Sequence, residues 1–368
     1  MTTSFLIHDQ LFTSQKNIFN KEKLVVNASQ SSYVVESTST AVLFESSIIV
    51  IDDKVFNLYK DKIAFSENKI FYIVATEENK TLETVSRLLV FFSQNNMTKS
   101  DEIVVIGGGV TQEIAAFACA IYKRGIAYHH FPTTLLSMCD SCIGGKTGLN
   151  FEAVKNQLGL FYPPRKVSIF ADFIQTLPDA QVRSGLGEIL KSCIIGGEHY
   201  LDVYQACVKN GKVESVDALN QLIFSALIVK KTIVEFDEYE KKYRAALNLG
   251  HTLGHAIEAL FNYEIPHGLS VVIGMILEND IAYQLKYLSK KNRDFLNALC
   301  FSLIDEKIKS TIKKIVASEL IPLLQKDKKT LEKNVVFVLL KKPGELVFRQ
   351  LSLDAALVSY IDVALAEL

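Results

Sequence analysis

Short apolar runs alternate with amphipathic segments through the first half of the chain, and this alternation restricts the fold more than any other feature. Ser47-Ile-Ile-Val-Ile51, Ile70-Phe-Tyr-Ile-Val74, Ile103-Val-Val-Ile106, residues 126–131 and Lys166-Val-Ser-Ile-Phe170 predict buried strands. Between them, residues 80–93 and 112–123 carry apolar side chains at helical spacing. Strands alternating with helices imply a mainly parallel sheet, doubly wound in the Rossmann manner. From about Leu177 the pattern changes to long helical periodicity, near 180–195, 215–236, 251–263, 269–286 and 291–318. Only residues 335–340 predict a strand there. A chain of 368 residues exceeds one typical core. We therefore expect an α/β domain over 1–178 and a mainly α-helical domain over 179–368.

Composition excludes several partners. A net charge of −1 leaves no electrostatic footprint for nucleic acid or an anionic membrane. The basic run Lys326-Asp-Lys328-Lys329 is short and mixed with acid, as a solvated face is. The start, Met-Thr-Thr-Ser-Phe, lacks the pattern of a signal peptide, and no apolar stretch is long enough to span a membrane. A cytoplasmic address with reduced thiols is the expectation. The six cysteines lack zinc-ribbon spacing. Cys139 and Cys142 form a CxxC, but they flank Asp140-Ser141 inside a run that reads better as a substrate loop.

The chemistry-bearing residues gather in a few motifs. Three of the seven histidines, His251, His255 and His267, fall in one short segment with Gly250, Gly254 and Gly268. His251 and His255 are four apart and share one helical face, so a metal-binding pair is the reading from spacing alone. Ile103 to Val110, with Gly107-Gly108-Gly109, reads as strand, glycine turn and helix. Such a turn either lets backbone approach a phosphate or simply joins two elements tightly. Thr133 and Thr134 follow a strand and would stand at its carboxyl end, where α/β sheets bind ligands. In Asp140 to Gly148 a glycine pair precedes Lys146 with the wrong spacing for a Walker loop, leaving an anion site or a surface turn. Glu188 and Lys191, three apart on a helix, make an exposed ion pair or, with Gly185 and Gly187 beside them, a closely packed one. Lys230, Arg244 and Asn248 precede the histidines and suit an anionic, phosphorylated substrate.

Taken in order, these motifs resemble the 3-dehydroquinate synthase family and the wider group of sugar phosphate cyclases, from about Glu77 to Lys329. Pro132-Thr-Thr-Leu-Leu136, Asp140 to Gly148, Glu188-Ile-Leu-Lys191, Asp237-Glu238 and Asn248 to Glu258 carry the resemblance. It implies an NAD-binding first domain, a metal- and substrate-binding second domain, and a seven-carbon sugar acid phosphate as substrate. The implied route oxidises the substrate's C5 hydroxyl with NAD as acceptor and eliminates phosphate. The ketone is then reduced again, the ring opens and an intramolecular aldol step closes the carbocycle. The implied metal ligands are Glu188, His251 and His267, with zinc first and cobalt as an alternative. Asp140, Lys146, Lys191, Lys230, Arg244, Asn248 and Lys328 are the implied substrate residues, with Lys155 and Asn156 matching a Lys-Asn pair near the substrate. His255 is implied to sit beside the phosphate. Arg124 matches an arginine that reaches a neighbouring subunit, which implies a homodimer. For NAD, the resemblance implies Glu77, Lys80, Gly107, Gly108, Gly109, Val110, Thr133, Thr134, Lys146, Lys155 and Thr176.

The departures lie on the cofactor side. Ala75 stands where an aspartate is usual, Gln112 and Glu113 replace a glycine and an aspartate, and Val154 replaces a glycine. Asn248, Lys230, His255 and Arg244 are all kept, which points to the dehydroquinate branch. Cyclases acting on sedoheptulose 7-phosphate or glucose 6-phosphate are the alternative, followed by a polyol phosphate dehydrogenase and a non-catalytic homologue.

Overall fold

The computed structural model describes residues 2–6, 22–29, 31–39, 48–61, 69–152, 154–325 and 334–367. The chain forms two compact units, one of Met1–Asn20 with Asp179–Leu368 and the other Lys21–Pro178. The first twenty residues therefore depart from the 1–178 expectation. Strand β1 (Thr2–Leu6) pairs antiparallel with a strand near the chain's far end. Sequence periodicity carries no information about such a distant pairing.

The Lys21–Pro178 unit is built on a seven-stranded sheet. Its strands are β2 (Lys23–Asn27), β3 (Ser32–Ser37), β4 (Ile48–Asp52), β5 (Ile70–Ile73), β6 (Glu102–Gly107), β7 (Ala127–Pro132) and β10 (Lys166–Ile169). In space they run β2-β3-β10-β7-β6-β4-β5. All pairs are parallel except β2 with β3. Ile48 to Ile51 is a continuous buried apolar run, as a strand covered on both faces must be. Ser47, at the start of that predicted strand, lies outside the described residues. β2 and β3 were not among the predicted strands. Each has only two buried apolar side chains in alternation, too brief a period to stand out.

Helices α1 (Asp53–Tyr59), α2 (Leu82–Gln94) and α3 (Gly109–Ile121) follow strands β4, β5 and β6. Val85, Leu88 and Phe92 of α2 and Ile114, Ala115 and Ala118 of α3 pack on Val50, Ile103 and Val105 of the sheet. The chain steps from β4 outward to β5 and then returns to the other side of β4 for β6. Strand order thus reverses between β4 and β6. The carboxyl end of β6, Gly107, borders that switch point, where open α/β sheets bind ligands. A small hairpin, β8 (Leu149–Phe151) and β9 (Val154–Leu158), precedes β10.

The other unit is mainly helical: α4 (Asp179–Gly196), α5 (Glu198–Cys207), α6 (Val216–Phe236), α7 (His251–Leu260), α8 (His267–Gln284), α9 (Lys290–Phe301), α10 (Glu306–Ile312), α11 (Ala317–Gln325) and α12 (Ala355–Ala366). The predicted helix over 291–318 is broken, because Asp305 accepts from the Ile308 amide and caps a new helix there. Nor is 335–340 the only strand. β13 (Asn334–Lys342) and β14 (Glu345–Ser352) form a hairpin joined by β1, and β11 (Val208–Lys209) pairs with β12 (Lys212–Val213). Arg349 and Gln350 interrupt the apolar pattern of β14, which hides it from periodicity.

α8 is buried from Gly268 to Ala282, so neighbours surround it. It packs on α4, α7 and α9. Two of these contacts are made backbone to backbone. A Cβ on Gly187 of α4 would meet the Gly268 carbonyl oxygen at 2.5 Å, and one on Gly268 would collide with the carbonyl oxygen of Ser184. Across the α7 contact, a Cβ on Gly274 would collide with the carbonyl oxygen of Gly250, whose own φ is +75°. Gly268→Ala is therefore expected to lower unfolding free energy by about 2–3 kcal/mol, as overpacking at a rigid contact does. Chemical denaturation of the two proteins checks this. An unchanged midpoint would mean that α4 and α8 are free to separate.

Candidate metal and cofactor sites

The α4–α8 contact brings chemistry together because both of its glycines adjoin a polar residue. Gly187 precedes Glu188, and Gly268 follows His267. Glu188 and Lys191 are both buried, and their charged groups meet at 2.5 Å, so the exposed ion-pair reading is overturned. Glu188 Oε1 lies 3.6 Å from His251 Nε2 and 3.4 Å from His267 Nε2. His251, His255 and His267 each offer a nitrogen within 4.8 Å of the others. The structure thus gathers both the helical pair and the Glu188, His251, His267 set.

The arrangement suits a divalent cation. Ligand atoms about 2.0–2.1 Å from a tetrahedral ion lie about 3.3–3.4 Å apart, close to the Glu188 to imidazole spacings here. Burial would raise the Glu188 carboxyl, but Lys191 and His267 overcome it and hold the group well below the usual carboxylate range. Burial likewise opposes an imidazolium at His267. Its bonds to Glu188 and Glu258 outweigh this and raise it to about 10. Two carboxylates around one imidazole make an anionic cradle, and a nitrogen and oxygen donor set without thiolate fits zinc or a similar ion.

The rings are aimed from behind. His251 Nδ1 lies 3.1 Å from the Leu249 carbonyl oxygen, and His267 Nδ1 lies 3.2 Å from Glu258 Oε2. Each partner suits an Nδ1–H and leaves Nε2 as the ligand nitrogen. The start of α7 is held in turn by Glu278 of α8. Its carboxylate accepts from the Gly250 amide at 2.7 Å and the Leu253 amide at 3.3 Å. Neither Glu258 nor Glu278 received a role from the sequence. Glu258 stands seven residues after His251, two turns along the same face, and that spacing was the available clue.

Lys230 and Arg244 are buried in the same unit, on α6 and on the 3₁₀ turn Tyr243–Asn248, both of which pack on α4. Arg244 Nη1 donates to the Glu238 carbonyl, and its amide donates to Asp237 at 3.0 Å. Asn248 donates to Glu240 Oε1 at 3.0 Å. Lys328 lies outside the described residues.

In the Lys21–Pro178 unit, Gly107 receives bonds on its carbonyl from the Thr133 amide at 3.1 Å and from His130 at 3.3 Å. Burial pushes the His130 imidazole down to about 3, so it is neutral there. Thr134 packs its methyl where a Cβ on Gly108 would stand and shares a 2.9 Å bond with Ser137. Gly109 and Val110 open α3 just beyond this turn. Lys80 is buried and holds a second cluster, reaching Glu113 at 2.7 Å, Glu77 at 3.2 Å and Asn156 at 2.6 Å. Asn156 thereby joins the Glu77 and Lys80 group. Lys155 is half-buried and Lys146 is exposed. Thr176 bonds Tyr59 at 3.1 Å. Arg124 is exposed at the far end of α3, about 20 Å along the helix from the glycine turn, so its own chain does not bring it to that turn.

Comparison with known proteins agrees on one family. Family models described as 3-dehydroquinate synthase N-terminal and C-terminal match residues 70–184 and 185–330. The 3-dehydroquinate synthase of Streptococcus equi subsp. equi is 35% identical over 319 residues, 85% of this chain and 88% of that one. That of Alkaliphilus metalliredigens is 35% identical over 341 residues, 88% and 94%. Among solved structures, 2-deoxy-scyllo-inosose synthase complexed with carbaglucose-6-phosphate, NAD+ and Co2+ gives a TM-score of 0.79 at 23% identity, covering 94% of this chain and 99% of that one. A 2-epi-5-epi-valiolone synthase from Streptomyces hygroscopicus with NAD+ and Zn2+ gives 0.76 at 24% identity, with the same coverage. These two share the fold.

Glu258→Gln keeps the side chain's shape and removes its charge behind His267. Metal affinity measured by calorimetry is expected to fall about 10- to 100-fold, the usual effect of losing such a partner. Unchanged affinity would show that the His267 ring is held without Glu258.

Proposed function

We propose, from the premise that this chain belongs to the 3-dehydroquinate synthase family, that it converts 3-deoxy-D-arabino-heptulosonate 7-phosphate to 3-dehydroquinate and inorganic phosphate. The observation carrying this reading is the gathering of Glu188, Lys191, His251, His255 and His267 in the same helical unit that buries Lys230 and Arg244. A polyol dehydrogenase has no comparable need for so many cations.

NAD would supply a reversible hydride acceptor, taking hydride from the substrate's C5 and returning it within one turnover. A divalent ion, zinc by preference and cobalt otherwise, would supply Lewis acidity toward a substrate hydroxyl. Glu188, His251 and His267 are the residues we assign to hold it.

The remaining tasks belong to side chains. Arg244 presents a planar guanidinium suited to a carboxylate. Lys191 and Lys230 bring positive charge to an anionic substrate, and Asn248 adds an amide that both donates and accepts. His255, in the same histidine cluster, is assigned to hold a proton for the departing phosphate. Asp140, Lys146, Lys155, Asn156 and Lys328 are assigned to the substrate by the family resemblance. Glu77, Lys80, Gly107 to Val110, Thr133, Thr134 and Thr176 are assigned to the cofactor. Arg124 is assigned to the site of a second copy, so the working enzyme in this reading is a cytoplasmic homodimer. No described helix is long and apolar enough to cross a membrane.

Metal-loaded protein with NAD is expected to release phosphate from 3-deoxy-D-arabino-heptulosonate 7-phosphate without accumulating NADH. Release from sedoheptulose 7-phosphate or glucose 6-phosphate instead would make it another cyclase of the group, and stoichiometric NADH from a polyol phosphate would make it a dehydrogenase. His251→Ala is expected to lose metal. His255→Ala should keep metal while kcat drops about 10²–10⁴-fold, the range for a lost proton-transfer group. Metal loss in both variants would restore the helical histidine pair as the ligand set.

A further inference from the structure

Gln112 lies in the first turn of α3, directly beyond the glycine turn, at a position where the family pattern has a glycine. Its side chain is buried, and both ends of its amide are taken by a single residue. Nε2 donates to the Ser141 carbonyl oxygen at 2.9 Å, and the Ser141 hydroxyl donates to Oε1 at 2.9 Å. An amide that satisfies a partner's backbone and side chain together fixes that partner in orientation as well as position. A glycine can make neither bond.

Ser141 ends the π-helical turn Ser137–Ser141, and the residue before it is Asp140. The same hydroxyl stands over the glycine turn, 3.9 Å from where a Cβ on Gly109 would be. The beginning of the π turn is tied separately, through the 2.9 Å bond between Thr134 and Ser137. One end of the Asp140 turn is therefore fastened to Thr134, two residues beyond the strand that follows α3, and the other end to α3 itself.

We infer that Gln112 is a positioning residue for Asp140, clamping the Asp140 turn against the glycine turn so that the two move as one body. The role of Asp140 itself rests on the cyclase reading; the clamp does not. Its neighbour Glu113 anchors α3 separately by reaching Lys80 at 2.7 Å. The two departures from the family pattern on α3 thus act as a pair of side-chain anchors.

Gln112→Met keeps the volume and removes both bonds, while Ser141→Ala removes one and barely alters packing. Hydrogen exchange of the segment 137–142 in the full-length protein is expected to speed up about tenfold in Gln112→Met, consistent with losing two buried hydrogen bonds. In the loaded enzyme kcat is expected to fall about tenfold, with the NAD dissociation constant from calorimetry changing less than about threefold. The double variant should be no worse than Gln112→Met alone, because both substitutions break the same clamp. Unchanged exchange in both single variants overturns the clamp. So does a double variant whose losses multiply, or a lowered thermal midpoint with kcat intact. If the unsubstituted protein releases no phosphate, the cyclase reading fails, and the exchange measurement still decides the clamp.

Discussion

The backbone contact between α4 and α8 is the constraint on which the candidate metal site depends. Glu188 and His267 come from segments almost eighty residues apart in sequence, and they face each other because Gly187 and Gly268 let their helices touch without intervening side chains. The α7 contact works in the same way through Gly250 and Gly274. Three helices thus present four potential ligands toward one point. Their spacing is set by main chain, which relaxes far less than side chains do.

Electrostatics then decides what the point can hold. A buried carboxylate is costly unless it is paired, and Glu188 is paired with an equally buried Lys191. Glu258 adds a second negative charge behind His267, so the cluster favours a cation among its imidazoles. Glu278 acts on the backbone behind the ligands. It accepts from the Gly250 and Leu253 amides and so fixes the first turn of α7, where His251 sits. Ligand, ring partner and helix anchor form three successive layers, and only the innermost is visible as a motif.

That layering explains what was legible in the sequence. The α/β alternation and the central parallel strands rest on local periodicity and matched the structure, and the histidine segment, legible from residue type, has its three rings gathered there. Glu188 with Lys191 was ambiguous because a three-residue spacing looks the same on an exposed face as on a buried one. Gly185 and Gly187 were the clue to burial, since glycine in a helix interior signals close approach more than helix formation. β1 escaped notice because its pairing with β14 spans the whole chain, and β14 because Arg349 and Gln350 interrupt its apolar pattern. Glu278 and the Gln112 to Ser141 bonds escaped because each joins residues at least twenty-five positions apart.

The two units also differ in how they preorganise their residues, and this bears on where the chain departs from its family. On the metal side, order comes from glycine contacts, where any added side chain meets backbone. In the Lys21–Pro178 unit, glycine contacts at Gly145 and Gly159 are joined by side-chain bonds at the candidate cofactor residues, such as Lys80 with Glu113 and Gln112 with Ser141. A bond between side chains can be rebuilt from other residues of suitable reach. Glu113, longer by one methylene than the aspartate it replaces, reaches Lys80, and the Gln112 amide adds two bonds to Ser141 that a glycine could not make. A main-chain contact admits no such exchange. The departures at Ala75, Gln112, Glu113 and Val154 all fall in the Lys21–Pro178 unit, and the glycine contacts at Gly187, Gly250, Gly268 and Gly274 that gather the candidate ligands all fall in the other.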